Sequence, residues 1–355
     1  MDFLQAIILG IVEGITEYIP VSSTGHLILV QRWMGMEDSA HDTYAIVIQG
    51  GAVLAVLGLY RKRVGEMFKG IFGKNAIGLK LAVNLFIALL PAVVLGLLFE
   101  KAIEEKLMHP KPIAIALVLG GILMLFVSRW QRNAYHEGDD NNSFIDIEHL
   151  TWKQALFIGL LQCIAMWPGT SRSMITIVGG MAVGLKPKHA AEFSFLLALP
   201  TLGGATVYKL MRNTEQLSDL GTGQVVVGIV VAFIAAAIAI KWLIAYLSKH
   251  GLALFGWYRL ALAAVVAIGI YSGYFSLDGK SDNSTLGGGE ATSSTVSPVT
   301  FANDHCPALP VAIQETPSTI TGPTADCHLP VLISWSPFIS DHCNPLILPP
   351  EETRQ

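Results

Sequence analysis

Residues Phe3–Trp33 read FLQAIILGIVEGITEYIPVSSTGHLILVQRW, an apolar run that two glutamates interrupt and a proline breaks. The glutamates are Glu13 and Glu17, and the proline is Pro20. A cluster of serine, threonine and glycine follows the break, and a second apolar run follows the cluster. This order predicts a short helix, a break and a second short helix, because proline disrupts the helix that precedes it and hydroxyl side chains cap the next one.

A second segment, Trp152–Leu185, repeats this order around Pro168. The alignment pairs Ala6–Glu13 with Ala155–Gln162 and residues 20–25 with residues 168–173, and it leaves the second copy one residue shorter between the two blocks. The two segments therefore predict an internal repeat, with copies at roughly residues 1–128 and 150–275.

Each broken segment is followed by three apolar runs of the length that a hydrocarbon core of about 30 Å requires. Apolar residues make up 52% of the chain and charged residues only 14%, which argues against a water-soluble enzyme. The six predicted spans are Tyr44–Tyr60, Leu81–Phe99, Pro112–Ser128, Ala190–Leu210, Val225–Leu247 and Leu252–Phe275.

Broken backbone at membrane depth is tolerated only where protein buries it or where it lines a wet cavity. We therefore interpret both broken segments as re-entrant helix hairpins whose breaks meet near the midplane. The alternative is two kinked ordinary spans. The predicted fold is an all-α integral membrane protein with six transmembrane helices and two re-entrant hairpins in an inverted-topology repeat.

Basic residues near span ends predict the orientation, since they favour the cytoplasmic side. They lie at or after the ends of the first, third and fifth spans: Arg61, Lys62, Arg63, Lys69, Lys74 and Lys80, then Arg129 and Arg132, then Lys241 and Lys249. This assignment places the first hairpin and the C-terminal tail outside and makes the second hairpin enter from inside. The two copies then have opposite topology, as the repeat predicts.

The tail, residues 276–355, has nine acids and two bases, whereas the body has 18 acids and 21 bases. A net charge of +3 spread over an apolar body argues against a nucleic-acid partner. The tail is rich in Ser, Thr, Pro and Gly, so we expect it to be disordered or to be a non-native extension. Its three His-Cys pairs match no zinc module, and we assign it no function.

Glu13 and Glu17 stand four residues apart, so they share one helix face. A single charge at membrane depth costs about 2.5 kcal/mol or more, so two on one face need a cation, a shared proton or an arginine. The alternative without a functional role is that Glu13 is solvated at the membrane interface.

The residues after Pro20 predict an anion site. Ser22, Ser23 or Thr24 can cap the next helix, whose free N–H groups attract negative charge. His26 lies three residues beyond Ser23, where it could act as a base to a hydroxyl.

Arg172, in the second break, adds a positive charge to this predicted anion site. It is the only charged residue between Lys153 and Lys186, and its planar fork suits phosphate oxygens. An arginine held solely by Glu13 or Glu17 is compatible with the same site. Glu, Ser, His and Arg together predict a site for an anionic group, and phosphate fits this set best.

At this point the motifs resemble a known family, the undecaprenyl-diphosphate phosphatases of the bacitracin-resistance type. The resemblance covers residues 1–275. It rests on Gln49 and on four motifs: Glu13-x-x-x-Glu17, Pro20-Val-Ser-Ser-Thr-Gly-His26, Pro168-Gly-x-Ser-Arg-Ser173 and Glu192-Phe-Ser-Phe-Leu-Leu-Ala-x-Pro200. It implies hydrolysis of undecaprenyl diphosphate to the monophosphate, which recycles the lipid carrier for cell-wall synthesis and confers bacitracin resistance. It also implies a reaction on the outer side of the bacterial inner membrane.

The resemblance further implies catalytic roles for five residues. Glu13 and Glu17 match the acidic motif that handles metal or diphosphate, Ser23 matches the proposed nucleophile, His26 the catalytic histidine, and Arg172 the arginine that grips phosphate. We expect their neighbours to bind the substrate: Ser22, Thr24, Gly25, Gly169, Thr170, Ser171 and Ser173. Spacing leaves open whether Ser23 forms a phosphoenzyme or His26 activates water.

The expected cofactor is a divalent cation, Mg²⁺ or Ca²⁺, held by Glu13 and Glu17, with no organic cofactor. In the competing interpretation one of the two carboxyl groups is protonated and only hydrogen-bonds the substrate. The expected partners are the polyprenyl diphosphate and membrane lipids, and a homo-oligomer is left open. The alternative function is a polyprenyl-phosphate transporter or flippase, because carriers share the inverted-repeat layout. A histidine-nucleophile lipid phosphatase is disfavoured, since no His-x-x-x-Asp follows Arg172.

Overall fold

The computed structural model describes residues 1–36, 39–136, 144–212 and 221–272. Within these ranges the chain is helical apart from turns, two short 3-10 helices and an isolated bridge between Ile145 and Leu185. The helices are α1 Phe3–Thr16, α2 Ser23–Trp33, α3 Ser39–Leu59, α4 Arg61–Ile71, α5 Ala76–Leu107, α6 Pro110–His136, α7 Trp152–Gln162, α8 Arg172–Ala182, α9 Pro187–Arg212, α10 Thr222–Leu247 and α11 Ala253–Tyr271.

Five of these helices, α5, α6, α9, α10 and α11, are long and apolar enough to cross a membrane. A sixth span results if α3 and α4 are counted together, although the chain bends by 79° between them. The prediction of an all-helical membrane protein is therefore confirmed, with five to six candidate spans. Our sequence analysis did not predict α4, a separate helix of mixed polarity that begins at Arg61.

Each broken segment folds as two short helices that contact each other, α1 with α2 and α7 with α8. A 3-10 helix, Cys163–Met166, extends α7 towards the second break. The predicted tail lies outside the described residues.

The two segments have the same local geometry at a constant spacing of 149 residues. Asp2 and Thr151 each form a capping box with the glutamine three residues later. Ser22 and Ser171 each cap the second helix with a positive φ, 78° and 74°. The two broken segments therefore share one local geometry.

The one-residue deletion in our alignment is wrong, because the caps keep the same spacing through the break. Pro20 and Pro168 are consequently not counterparts. In the corrected register Ser23 and Arg172, the first residues of α2 and α8, occupy equivalent positions.

The first helix of each copy packs on a helix of the other copy: α1 packs on α10, and α7 packs on α5. Glycines allow this close approach. A Cβ at Gly10 would lie 2.8 Å from the Gly228 carbonyl oxygen, and one at Gly159 would lie 2.4 Å from that of Ala88. Small residues at such crossings let helix backbones meet, which stabilises helix pairs in membranes. The interlocked copies hold the two breaks beside each other.

Candidate active site

Glu17 lies where α1 ends, almost completely buried, and joins the two breaks. The hydroxyl of Ser23 donates a hydrogen bond to Glu17 Oε2 at 2.5 Å. Arg172 Nη2 donates to Glu17 Oε1 at 2.9 Å, which makes an ion pair between the first and second broken segments. Gln49 of α3 adds a longer contact, 3.5 Å from its Nε2 to Oε2. Both carboxylate oxygens of Glu17 are therefore engaged.

Arg172 is largely buried and retains donor capacity. Its Nη1 donates to the carbonyl oxygen of Ser194 at 2.9 Å, and its guanidinium carbon lies 5.8 Å from the centre of the Tyr18 ring. Its Nε is buried and has no hydrogen-bond partner among the described residues. A guanidinium N–H in this state can donate to an anion that enters the site.

Glu13, one turn before Glu17, is fully buried, and neither carboxylate oxygen has a hydrogen-bond partner in the described part of the chain. Glu17, Gln49 and Arg172 interact with Glu13 electrostatically. Thus the solvated alternative for Glu13 is wrong.

The donor set around these carboxylates is small. The described ranges contain no group of three or more His, Cys, Asp and Glu side chains that could enclose a metal ion. Glu13 offers two unpartnered oxygens, whereas those of Glu17 are taken by Ser23 and Arg172. This set fits Mg²⁺ bound through one or two carboxylates and substrate phosphate oxygens, and it does not fit a cation enclosed by protein alone.

His26 faces α11 rather than Ser23. Its Nδ1 lies 2.7 Å from the carbonyl oxygen of Ser22, and its Nε2 lies 2.7 Å from the hydroxyl of Tyr258. The two rings are nearly parallel, with centres 5.6 Å apart. Because a carbonyl only accepts, Nδ1 carries the hydrogen, and Nε2 of the neutral ring accepts from the phenol. The base in contact with the Ser23 hydroxyl is therefore Glu17.

The remaining predicted site residues line the two breaks. Ser171 Oγ accepts from the backbone N–H of Met174 at 3.3 Å and lies 3.0 Å from Ser173 Oγ. The buried Ser173 also donates to the carbonyl of Ile19 at 3.4 Å, so it bridges both breaks. Ser22 caps α2 by accepting from the Gly25 N–H at 3.3 Å. Thr24 and Gly25 lie in the first turn of α2, and Thr170 is buried beside Gly169.

Arg259 of α11 is a residue that our sequence reasoning missed. It is completely buried, and its Nη2 donates to the carbonyls of Gly169 at 2.8 Å and Ala116 at 3.0 Å. These two hydrogen bonds connect the second break to α6 through a side chain of α11. A signal was available, because Arg259 is the only Asp, Glu, Lys or Arg between Lys249 and Asp278, and such a residue inside a span is functional by default. Its neighbour Tyr258 gave no comparable signal.

The cluster of Glu17, Ser23 and Arg172 has the parts that transfer of a phosphoryl group needs. A hydroxyl bound to a carboxylate can be activated as a nucleophile. An arginine with a free N–H can stabilise the charge that develops on a phosphoryl oxygen. Helices α2 and α8 both begin at the cluster, and the free N–H groups at their N-termini favour an anion there.

Comparison with known proteins identifies relatives along most of the described chain. Residues 6–265 match the family described as Bacitracin resistance protein BacA. The undecaprenyl-diphosphatase of Sorangium cellulosum is 48% identical over 268 residues, 75% of this chain and 86% of that protein. The same-named protein of Nitrosomonas europaea is 45% identical over 270 residues, 76% of this chain and 95% of that protein. That of Bordetella avium is 42% identical over 272 residues, with shares of 75% and 96%.

Proposed function

Because the chain belongs to the Bacitracin resistance protein BacA family, we propose that it hydrolyses undecaprenyl diphosphate to undecaprenyl phosphate and inorganic phosphate. This reaction recycles the lipid carrier for cell-wall synthesis and confers bacitracin resistance. The observation that carries the proposal is the contact of one buried carboxylate, Glu17, with both Ser23 and Arg172.

In the proposed reaction the terminal phosphate lies between the N-termini of α2 and α8. Arg172 donates its free Nε hydrogen to a phosphate oxygen, and Glu17 accepts the proton of Ser23 as the serine oxygen attacks phosphorus. The bond from phosphorus to the bridging oxygen breaks, and undecaprenyl phosphate leaves with that oxygen. Water then attacks the phosphoserine, the bond from phosphorus to the serine oxygen breaks, and Glu17 returns its proton to that oxygen, while inorganic phosphate leaves with the two protons of the water. The alternative, in which His26 activates water directly, requires its Nε2 to exchange the Tyr258 hydroxyl for water.

The relatives do not favour the alternative function of a polyprenyl-phosphate transporter, since those described above are named as diphosphatases. Inverted repeats are compatible with either function.

We further propose that both broken segments are re-entrant hairpins and that the protein resides in the bacterial inner membrane with its active site facing outward. The basic residues within α4 and just after it support this orientation. We further propose that Glu13 would hold a divalent cation, which would supply positive charge against the diphosphate.

The hydrolase proposal is tested by phosphate release from undecaprenyl diphosphate with purified protein. Wild type should release one phosphate for each substrate. Arg172→Lys keeps the charge but loses the fork, so its turnover should fall about 10-fold or more, the loss of at least ~1.4 kcal/mol of transition-state stabilisation. Near wild-type turnover in folded Arg172→Lys would remove Arg172 from the phosphate site, and no release by wild type would overturn the function.

The assignment of the cation to Glu13 predicts different effects at the two glutamates. Glu13→Gln should raise the Mg²⁺ concentration for half-maximal activity, because an amide oxygen is a weaker ligand than a carboxylate. Glu17→Gln should lower turnover by about 10²-fold or more at every Mg²⁺ concentration, since it removes the base from Ser23 and the partner of Arg172. Titrations of activity with Mg²⁺ after chelation compare the two. Full activity of exhaustively chelated wild type would exclude the cation.

The proposed orientation is tested by labelling single cysteines in whole cells, with the native cysteines replaced by serine. A cysteine at Lys69 should react with a membrane-impermeant reagent only after the inner face is opened. A cysteine at Met108, between α5 and α6, should react in intact cells. The reverse pattern would show that the active site and the spans are inverted relative to our proposal.

A further inference from the structure

An open-sided apolar groove runs between α5 and α9. Its volume is about 570 Å³, and its walls include Val93, Gly96 and Leu97 of α5, Met166, and Gly204 and Tyr208 of α9. Several of these residues face outward from the helix bundle; Leu97 has 73% of its surface exposed. The groove is therefore accessible from the lipid side of the protein.

Two helical glycines widen this groove without any packing requirement. A Cβ at Gly204 would meet no atom within 4 Å, and one at Gly96 would meet only the sulfur of Met166 at 3.9 Å. At Gly14, by contrast, a Cβ would lie 2.5 Å from the carbonyl of Ala232. A glycine inside a helix costs about 0.5–1 kcal/mol relative to alanine. Gly96 and Gly204 thus leave room in the groove at some cost to the helices.

Two chain segments connect the groove to the active site. Met166 ends the 3-10 helix just before the second break, which leads to Arg172. On α9, Ser194 accepts the hydrogen bond from Arg172, and Thr201 of the groove follows seven residues later, about 10 Å along the helix. The groove therefore begins about two helical turns along α9 from the residue that binds Arg172.

We propose that this groove binds the isoprene units nearest to the diphosphate of the substrate. The inference rests on the proposed hydrolase function and adds the part of the site that recognises the prenyl chain. The occupant must be apolar, because the walls are almost entirely aliphatic, and it must begin beside the second break. A prenyl chain anchored by its phosphates satisfies both requirements, whereas the acyl chain of a bilayer lipid satisfies only the first.

The test compares two diphosphates on variants that fill space. Gly204→Leu places a side chain in the groove without displacing backbone, and Gly58→Leu is the matched control, an exposed glycine of α3 whose Cβ would meet only a Phe233 ring carbon at 4.0 Å. The substrates are undecaprenyl diphosphate and dimethylallyl diphosphate, whose five carbons are too short to fill the groove.

Gly204→Leu should lower kcat/KM for undecaprenyl diphosphate about 10-fold, mainly through KM, and leave that for dimethylallyl diphosphate within about 2-fold. Gly58→Leu should change neither. An unchanged ratio between the two substrates in Gly204→Leu would overturn the groove. The same effect in Gly58→Leu would instead indicate a general effect of surrounding lipid and would overturn it too. Wild type inactive on both diphosphates would refute the hydrolase function itself, a separate outcome.

A second measurement does not depend on folding of the variant. A prenyl diphosphate with a benzophenone on its second isoprene unit is photo-crosslinked to the wild-type protein, and the adduct is located by peptide mass spectrometry. Adducts on the groove faces of α5 or α9 support the proposal. Adducts confined to other helices contradict it.

Discussion

The ion pair between Glu17 and Arg172 is the contact on which the arrangement of the site depends. It joins the end of α1 to the start of α8, at 2.9 Å, across 155 residues of sequence. Removing one partner of a buried pair leaves an uncompensated charge, which costs about 3–5 kcal/mol. The second oxygen of the same carboxylate receives the Ser23 hydroxyl, so one side chain both fastens the two copies and contacts the proposed nucleophile.

The repeat explains why these groups meet. Ser23 and Arg172 occupy the same position in their copies, each directly after a serine cap with positive φ. Positive φ at a non-glycine residue carries strain, and such strain is found mainly at functional sites. Because α1 packs on α10 and α7 on α5, the copies interlock and bring the two caps together. Because the two segments differ in sequence at this position, Ser23 contributes a hydroxyl from the first segment and Arg172 contributes a cation from the second.

Much of the fold was predictable, because lengths of apolar runs and the positions of Pro20 and Pro168 are local signals. Glu17 and Arg172 could be chosen as site residues since an isolated charge in an apolar run requires a partner. Arg259 is likewise an isolated charge in an apolar run, so the same criterion selects it as a site residue. The bend between α3 and α4 was not predictable, and neither were the contacts of His26. The spacing i, i+3 places His26 on the same helix face as Ser23. Its ring nevertheless contacts Tyr258, which lies 232 residues away in the sequence. Spacing along one helix cannot report such a tertiary partner.

A double-mutant cycle on Glu17→Gln and Arg172→Lys tests most directly the claim that these side chains act as one catalytic unit. The measured quantity is kcat/KM for undecaprenyl diphosphate in wild type, both single variants and the double variant, all verified as folded. Groups that act as a unit are strongly non-additive, so the double variant should be no more impaired than the worse single variant. Independent effects that multiply in the double variant would contradict the account.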